Sequence, residues 1–366
     1  MRFAGSSDSD ADLALFIESA HAVCQQRKIL GPEVEALERK MAKWLQTKYA
    51  IGCNSGFGAH LLSLLALDLK PGARVAVPVF APSDFIGTVL LRQHLTPVLI
   101  DINTHDFQMD VSELSRHIGD KIDAIIVYHL FGGTVDMHEV MDIADNIPVI
   151  EVLTHSLGAH IDDRYAGTFG TVATADLFTT MRAWGDAGML WTNNESLAEK
   201  ICKIRSENGT TEVHTGIVSG NFHQHTIQAA FLLRKFEGWE RKAKKRSEQI
   251  TAFVLAMRDR RICEIAIPEF YNHYGTELVI LADHRNELME YLQERNIETS
   301  TWWPLPIHLQ PGFQRLQHKR GDFPQAEWVT ARLLQLPVPE NENEIDCLVE
   351  SIANFYKSSF YPQRVF

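Results

Sequence analysis

The chain has 366 residues, of which 45% are hydrophobic and 22% charged, the balance of a globular protein large enough for two domains. A formal net charge of −12 disfavours nucleic acid as a partner, because phosphate binding needs a basic stripe. The one dense basic run, Arg241-Lys242-Ala243-Lys244-Lys245-Arg246, falls in a helical pattern and reads as a solvated helix face.

In chain order, residues 11–44 read as two helices split at Leu30-Gly31-Pro32, with Pro32 suited to a first helical turn. Short apolar runs at 49–53, 75–78, 98–101, 124–128 and 149–152 predict buried strands. Helical patterns at 59–69, 85–94, 111–117 and 137–144 separate them, and further strands fit 174–178 and 188–192. Strands without clean alternation, joined by helices, imply an α/β fold with a mostly parallel sheet covered on both faces. A long helix is predicted over 226–258, followed by a strand at 277–281 and helices at 285–295 and 342–356. The expected division is a large domain over 1–245 and a smaller C-terminal α+β domain over 246–366. Cys24, Cys53, Cys202, Cys263 and Cys347 show no metal spacing and read as free thiols of a reducing compartment. With no apolar leader or bilayer-length span, a cytoplasmic location is expected, with no membrane partner.

Several segments resemble the nucleotide-sugar aminotransferases of the DegT/StrS type. They are Gly31-Pro32-Glu33-Val34-Glu35-Ala36-Leu37-Glu38, Pro71-Gly72-Ala73-Arg74-Val75-Ala76-Val77-Pro78, Thr96-Pro97-Val98 with Asp101, and His129-Leu130-Phe131-Gly132. Gly185-Asp186-Ala187-Gly188, Asn221 with Ile227-Gln228-Ala229-Ala230, Pro304-Leu305-Pro306-Ile307-His308 and Leu336-Pro337-Val338 continue the likeness in one order over roughly residues 28–357. The resemblance implies a fold-type-I architecture, a seven-stranded sheet, a homodimer with a pocket shared between subunits, and pyridoxal phosphate (PLP) as coenzyme.

The residues of the implied coenzyme site depart from that pattern. No lysine occurs between Ile122 and Glu199, and Leu177-Phe178-Thr179-Thr180-Met181-Arg182 stands where the resemblance expects the lysine that forms the PLP imine. Val152 replaces an aspartate that would pair with the pyridinium nitrogen. Ser55-Gly56-Phe57 replaces Ser-Gly-Thr at the phosphate-holding helix start. Asp176 replaces a second phosphate-binding serine, and Pro82 a ring-stacking aromatic. These five departures predict a protein that uses no cofactor, with PLP as the alternative.

Other residues could serve the old pocket. His155, which replaces a residue that the resemblance places near the coenzyme ring, reads either as a polar filler or as an acid–base group. Asp176 reads as a general base or as an ion-pair partner of Arg182. His214, His223 and His225 cluster near Asn221, in the segment that the resemblance carries across the dimer; they read as loop histidines more readily than as metal ligands, and no metal is expected. Of the adjacent pair Trp302-Trp303, one indole could stack on a sugar or base, with His308 following. The candidate catalytic residues are therefore His155, Asp176 and His223. The candidate ligand-binding residues are Ser55, Gly56, Phe57, Pro82, Val152, Met181, Arg182, Asn221, Trp303 and His308. The function expected is a PLP-independent enzyme of sugar or secondary-metabolite biosynthesis that binds a small polar ligand such as a sugar nucleotide. The alternatives are a non-catalytic regulatory partner of an active paralogue, or a PLP-dependent nucleotide-sugar aminotransferase with an altered site.

Overall fold

A computed structural model describes residues 9–26, 31–82, 93–181, 184–206, 219–267, 274 and 277–360. Helices α1 (Ser9–Gln26) and α2 (Glu33–Leu45) lead into the α/β part, and both pack against α8 (Thr226–Phe236). The main sheet contains β1 (Tyr49–Cys53), β2 (Arg74–Pro78), β3 (Thr96–Ile100), β4 (Ala124–Tyr128), β5 (Val149–Val152), β8 (Val172–Asp176) and β9 (Gly188–Thr192). Its order is β1-β9-β8-β5-β4-β2-β3, and only β9 runs against its neighbours. A two-stranded ribbon, β6 (His160–Ile161) and β7 (Arg164–Tyr165), interrupts the run between β5 and β8.

Most of the α/β elements form where the sequence predicts them, although the helix that follows Asn194 was not predicted, and four helices carry their own start signal. Ser55, Asp110, Asp136 and Asn194 accept backbone amides at the first turns of α3 (Gly56–Ala66), α4 (Val111–Ile118), α5 (Met137–Ala144) and α7 (Glu195–Arg205). Strands β4 and β5 are buried along their whole length, as a parallel sheet covered on both faces requires. The seven-stranded α/β architecture expected from the sequence is present. The predicted helix over 85–94 lies largely outside the described residues.

The predicted helix over 226–258 is broken. Glu237 and Gly238 divide it into α8 and α9 (Trp239–Arg260), with Gly238 as the N-cap of the second. Helix α9 buries Trp239 and Ala243 in the core around α2 and β9, and Ile250, Phe253 and Met257 in a separate C-terminal core. Around that second core lie β10 (Ile265–Ala266), β11 (Leu278–Ala282), α10 (Arg285–Gln293), β12 (Leu333–Leu336) and α12 (Glu342–Phe360), while α11 (Pro324–Arg332) buries Ala326 and Val329 in the core of the main sheet. Strands β10, β11 and β12 make an antiparallel sheet. The short helix α6 (Leu177–Met181) follows β8 directly, so the predicted strand over 174–178 ends at Asp176.

Two contacts tie the C-terminal part to the large sheet beside the cleft. The Ile307 amide donates to the Val79 carbonyl at 3.2 Å. Asp101, just beyond β3, accepts the amides of Gln325 and Ala326 at 3.0 and 2.9 Å, so a residue of the main sheet caps α11.

Candidate active site

The segments that leave the carboxyl ends of β1, β2, β4, β5 and β8 converge on one region, the usual ligand side of an open parallel sheet. Ser55 stands after β1. Its extended backbone and its hydroxyl, which accepts the Gly58 amide at 2.9 Å, begin α3. Gly56 is buried against Asp176 so closely that a Cβ there would run into the Asp176 backbone and side chain. Phe57 is half-buried and packs on the apolar core of the sheet.

Asp176 ends β8 and starts α6. Its amide donates to the Thr154 hydroxyl at 3.0 Å. Its carboxylate accepts the Phe178 amide at 2.9 Å and the Thr179 hydroxyl at 2.6 Å. Burial pushes its pKa above the ordinary aspartate value, against the lowering effect of those hydrogen bonds. The expected pairing with Arg182 concerns a residue outside those described; the partners that the Asp176 carboxylate shows are local to α6. Thr180 reaches back to the carbonyls of Thr154 and Asp176 at 2.7 and 2.6 Å and fixes the turn. Met181 ends α6, buried among apolar residues that include Leu177, Ala187 and Met189.

On β5, successive side chains face opposite ways. Val152 is fully buried in the apolar core. Glu151 accepts the amides of Gly167 at 2.7 Å, Phe169 at 2.9 Å and Gly170 at 2.6 Å, and contacts His129 Nε2 at 3.2 Å. His129 Nδ1 accepts the Val135 amide at 3.1 Å, so Nε2 carries the proton donated to Glu151. His129 is thus part of the frame, as its sequence motif implies.

His155 follows β5 and is 3% exposed. Burial lowers its pKa to about 4, so the ring is neutral near pH 7. It packs against Phe131, Trp302 and Trp303, with ring centroids 5.4, 4.9 and 6.0 Å away. Trp303 also meets Phe80 edge-on at 4.9 Å, and Pro82 lies half-buried two residues beyond Phe80.

Asn221 is exposed beside α3, its carbonyl accepting Asn54 Nδ2 at 3.4 Å. His223 forms an isolated antiparallel bridge with Cys53, and its pKa is lowered by burial and then by the charges of Arg205 and His225. His214 lies outside the described residues. Among those described, no group of three or more His, Cys, Asp or Glu residues could hold a metal ion. His308 turns into the C-terminal part: its side chain is fully buried, with Nε2 3.0 Å from Glu327 and the ring edge-on to Phe323.

The structure therefore brings Ser55, Gly56, Asp176 and the 221–223 segment to one end of α3. It gathers His155, Trp303 and the segment ending in Pro82 into an aromatic cluster. Sequence reasoning missed Phe80 and Phe131 as ring partners, and Thr154 and Thr179 as the groups that hold Asp176. The hydroxyl at Thr179, three residues after Asp176, was a readable capping signal. The meeting of Phe80 with Trp303 was not, since 223 residues separate them.

This architecture and site define an aminotransferase-type α/β protein. The chain belongs to the DegT/DnrJ/EryC1/StrS aminotransferase family, whose pattern matches residues 13–352. It is 32% identical over 340 residues to a pleiotropic regulatory protein of Geobacillus stearothermophilus, covering 90% of this chain and 91% of that one. It is 28% identical to a UDP-N-acetyl-3-dehydro-alpha-D-glucosamine 3-aminotransferase of Acidithiobacillus ferrooxidans, covering 86% of each chain. Among solved structures it resembles a family aminotransferase from Brucella abortus, with a TM-score of 0.87, 25% identity, and coverage of 97% and 99% of the two chains. It also resembles NtdA of Bacillus subtilis with bound pyridoxamine phosphate (PMP), at a TM-score of 0.86, 22% identity, and coverage of 95% and 82%.

These findings correct one expectation. The family is one of aminotransferases, and the NtdA structure contains PMP, so the sequence-based conclusion that no cofactor is used does not stand. The missing lysine nevertheless bears on how a coenzyme could be held. The residues do not fit a PLP tethered as an imine at this place: Met181 has no amine, and Val152 has no carboxylate for the ring nitrogen. At the start of α3, the Ser55 hydroxyl is engaged with Gly58 and a carboxylate abuts Gly56.

Proposed function

We propose that this protein is a nucleotide-sugar-directed member of the aminotransferase family, with an altered site in which the family coenzyme is a non-covalent guest. The support for this reading is the family match over residues 13–352, combined with the absence of any lysine between Ile122 and Glu199. The relative from Acidithiobacillus ferrooxidans supports a sugar nucleotide as the ligand class and sugar biosynthesis as the setting. Ser55, Gly56, Asp176 and Asn221 would meet the polar part of the ligand; His155 and His223 are the candidate acid–base groups.

The reading includes a homodimer, a C-terminal domain beginning within α9 near residue 246, and a cytoplasmic location. The separate burial of the two halves of α9 supports the boundary. The five free cysteines support the compartment. Among the described residues, no helix is long and apolar enough to cross a membrane.

The test is an absorbance titration with PLP and PMP, followed by borohydride and dialysis, together with calorimetry against UDP-, dTDP- and GDP-hexoses. The expected result is saturable binding that dialysis reverses after borohydride. Met181→Lys should convert bound PLP into a borohydride-stable adduct. A stable adduct in the unsubstituted protein would overturn the non-covalent reading, and absence of all sugar-nucleotide binding would overturn the ligand class.

A second reading has its own support. The relative that is 32% identical is described as a pleiotropic regulatory protein, which favours a regulatory role for a chain without the imine lysine. Co-purification with an active aminotransferase, without binding of coenzyme or sugar nucleotide, would select it.

A further inference from the structure

The segment over 301–306 is strung between two fixed points. At one end Ser300 and Gln335 exchange backbone hydrogen bonds of 3.1 and 2.8 Å; at the other, the Ile307 amide donates to the Val79 carbonyl. Between them Trp302 and Trp303 reach over the carboxyl ends of β2, β4 and β5. There their rings join Phe131 and His155 in one cluster, which Phe80 enters through Trp303 and Phe131. The five rings come from four separate stretches of chain, and neighbouring centroids in the cluster stand 4.9 to 6.4 Å apart. They occupy the side of the sheet where an open α/β fold receives its ligand.

Two features set this cluster apart from ordinary core. Trp303 has φ of 35°, a left-handed backbone that a bulky residue adopts only when its surroundings impose it. The neighbouring Trp302 has its indole N–H buried with no acceptor among the described residues. A backbone under strain and an unanswered donor thus sit on adjacent residues, both covering His155. Neither Phe80 nor Phe131 can supply the missing acceptor.

We propose that Trp302 and Trp303 are a displaceable aromatic plug, and that the ligand admitted beneath it is a flat heteroaromatic ring carrying a hydrogen-bond acceptor. The ring exchanges for the packing that Trp303 gives His155 and Phe131, and its acceptor meets the Trp302 indole. Opening requires no change in the anchors at Ser300 and Ile307, because the left-handed turn at Trp303 relaxes as its side chain leaves. The chemistry is shared by a pyridine ring and by a nucleobase. The inference rests on the proposed function only in taking the cleft as a ligand site.

The test compares the parent protein with Trp303→Ala and Trp302→Phe, using pyridoxamine, PMP and UMP as probes in calorimetric titrations, with unfolding midpoints measured in parallel. Trp303→Ala should bind the matching ring at least fivefold more tightly than the parent. Trp302→Phe, which keeps a ring and removes the donor, should bind it at least threefold more weakly. A gain for both pyridoxamine and PMP with none for UMP identifies the pyridine ring; a gain for UMP alone identifies the base. If folded Trp303→Ala binds no ring more tightly, the plug is ordinary packing and the inference fails.

A measurement on the intact fold guards against failure of the alanine variant to fold. With 5-fluorotryptophan incorporated and Trp303 assigned through Trp303→Phe, its fluorine resonance in the parent must shift on saturation with the bound probe. A resonance that stays still while a probe binds elsewhere overturns the inference and leaves the proposed function standing. Failure of every probe and every sugar nucleotide to bind any form removes both.

Discussion

The two faces of β5 meet opposite physical demands within adjacent residues. On one face Glu151 is surrounded by three backbone amides and His129, so its carboxylate has all the donors a buried charge requires. On the other, Val152 is wholly apolar and shares its core with Phe131, Trp302 and Trp303, the rings that surround His155; Met181 packs in a separate core with Leu153 and Ala173. Removing Glu151 would leave buried amides orphaned, whereas the apolar face holds no charge that must be answered, so the two faces of one strand differ sharply in the substitutions they tolerate.

The comparison is broken most directly at Glu151. Glu151→Ala strands three amides and a histidine N–H in the interior and should lower the unfolding free energy by about 4 kcal/mol, read from urea midpoints. A loss under about 1 kcal/mol would show that the frame is no more constrained than the cleft.

The two buried histidines sharpen it through pH. Burial lowers the pKa of His60 to about 3 and that of His155 to about 4, whereas each ring would titrate near 6.5 in the unfolded chain. Below pH 6.5 the unfolded chain takes up protons that the native rings refuse, so stability is present above that pH and lost on acidification. The expected slope is about 1.4 kcal/mol per pH unit for each ring, from pH 6.5 down to about 4. His155→Gln should remove about half of it; an unchanged slope would place His155 in contact with water.

A smaller effect is expected at Gly56. Gly56→Ala brings a methyl group into Asp176 and should cost about 2 kcal/mol, with partial recovery in the double variant that also carries Asp176→Gly. Additive losses in that double variant would mean that the two residues do not share the space. The least effect belongs to His138 and Asp162, a pair 3.1 Å apart with most of both side chains in water. Asp162→Asn should change stability by less than about 0.5 kcal/mol, which separates the same chemistry at the surface from its buried counterpart at Glu151.

The α/β core was legible because its strands are short apolar runs and its helices open with capping residues. Helix α7 was missed although Asn194 announces its start by accepting the Leu197 amide. Helix α11 was missed although Pro324 sits in its first turn. Their patterns are short and mixed, and α7 reads as a continuation of the strand before it. The break at Gly238 was not read because a lone glycine in a helical pattern is commonly tolerated. In the site, the absence of a lysine and the presence of Val152 could be read from the chain alone. That His308 turns toward Glu327, and that Phe80 and Phe131 close on Trp303, depends on contacts between distant segments. The inference from missing coenzyme contacts to a missing coenzyme went further than the residues allow: they argue against one covalent form.

The carboxylate of Asp101 fixes the C-terminal part to the edge of the main sheet. Both amides it accepts belong to the first turn of α11, so one side chain at the end of β3 settles where that helix begins and which way it leaves the sheet.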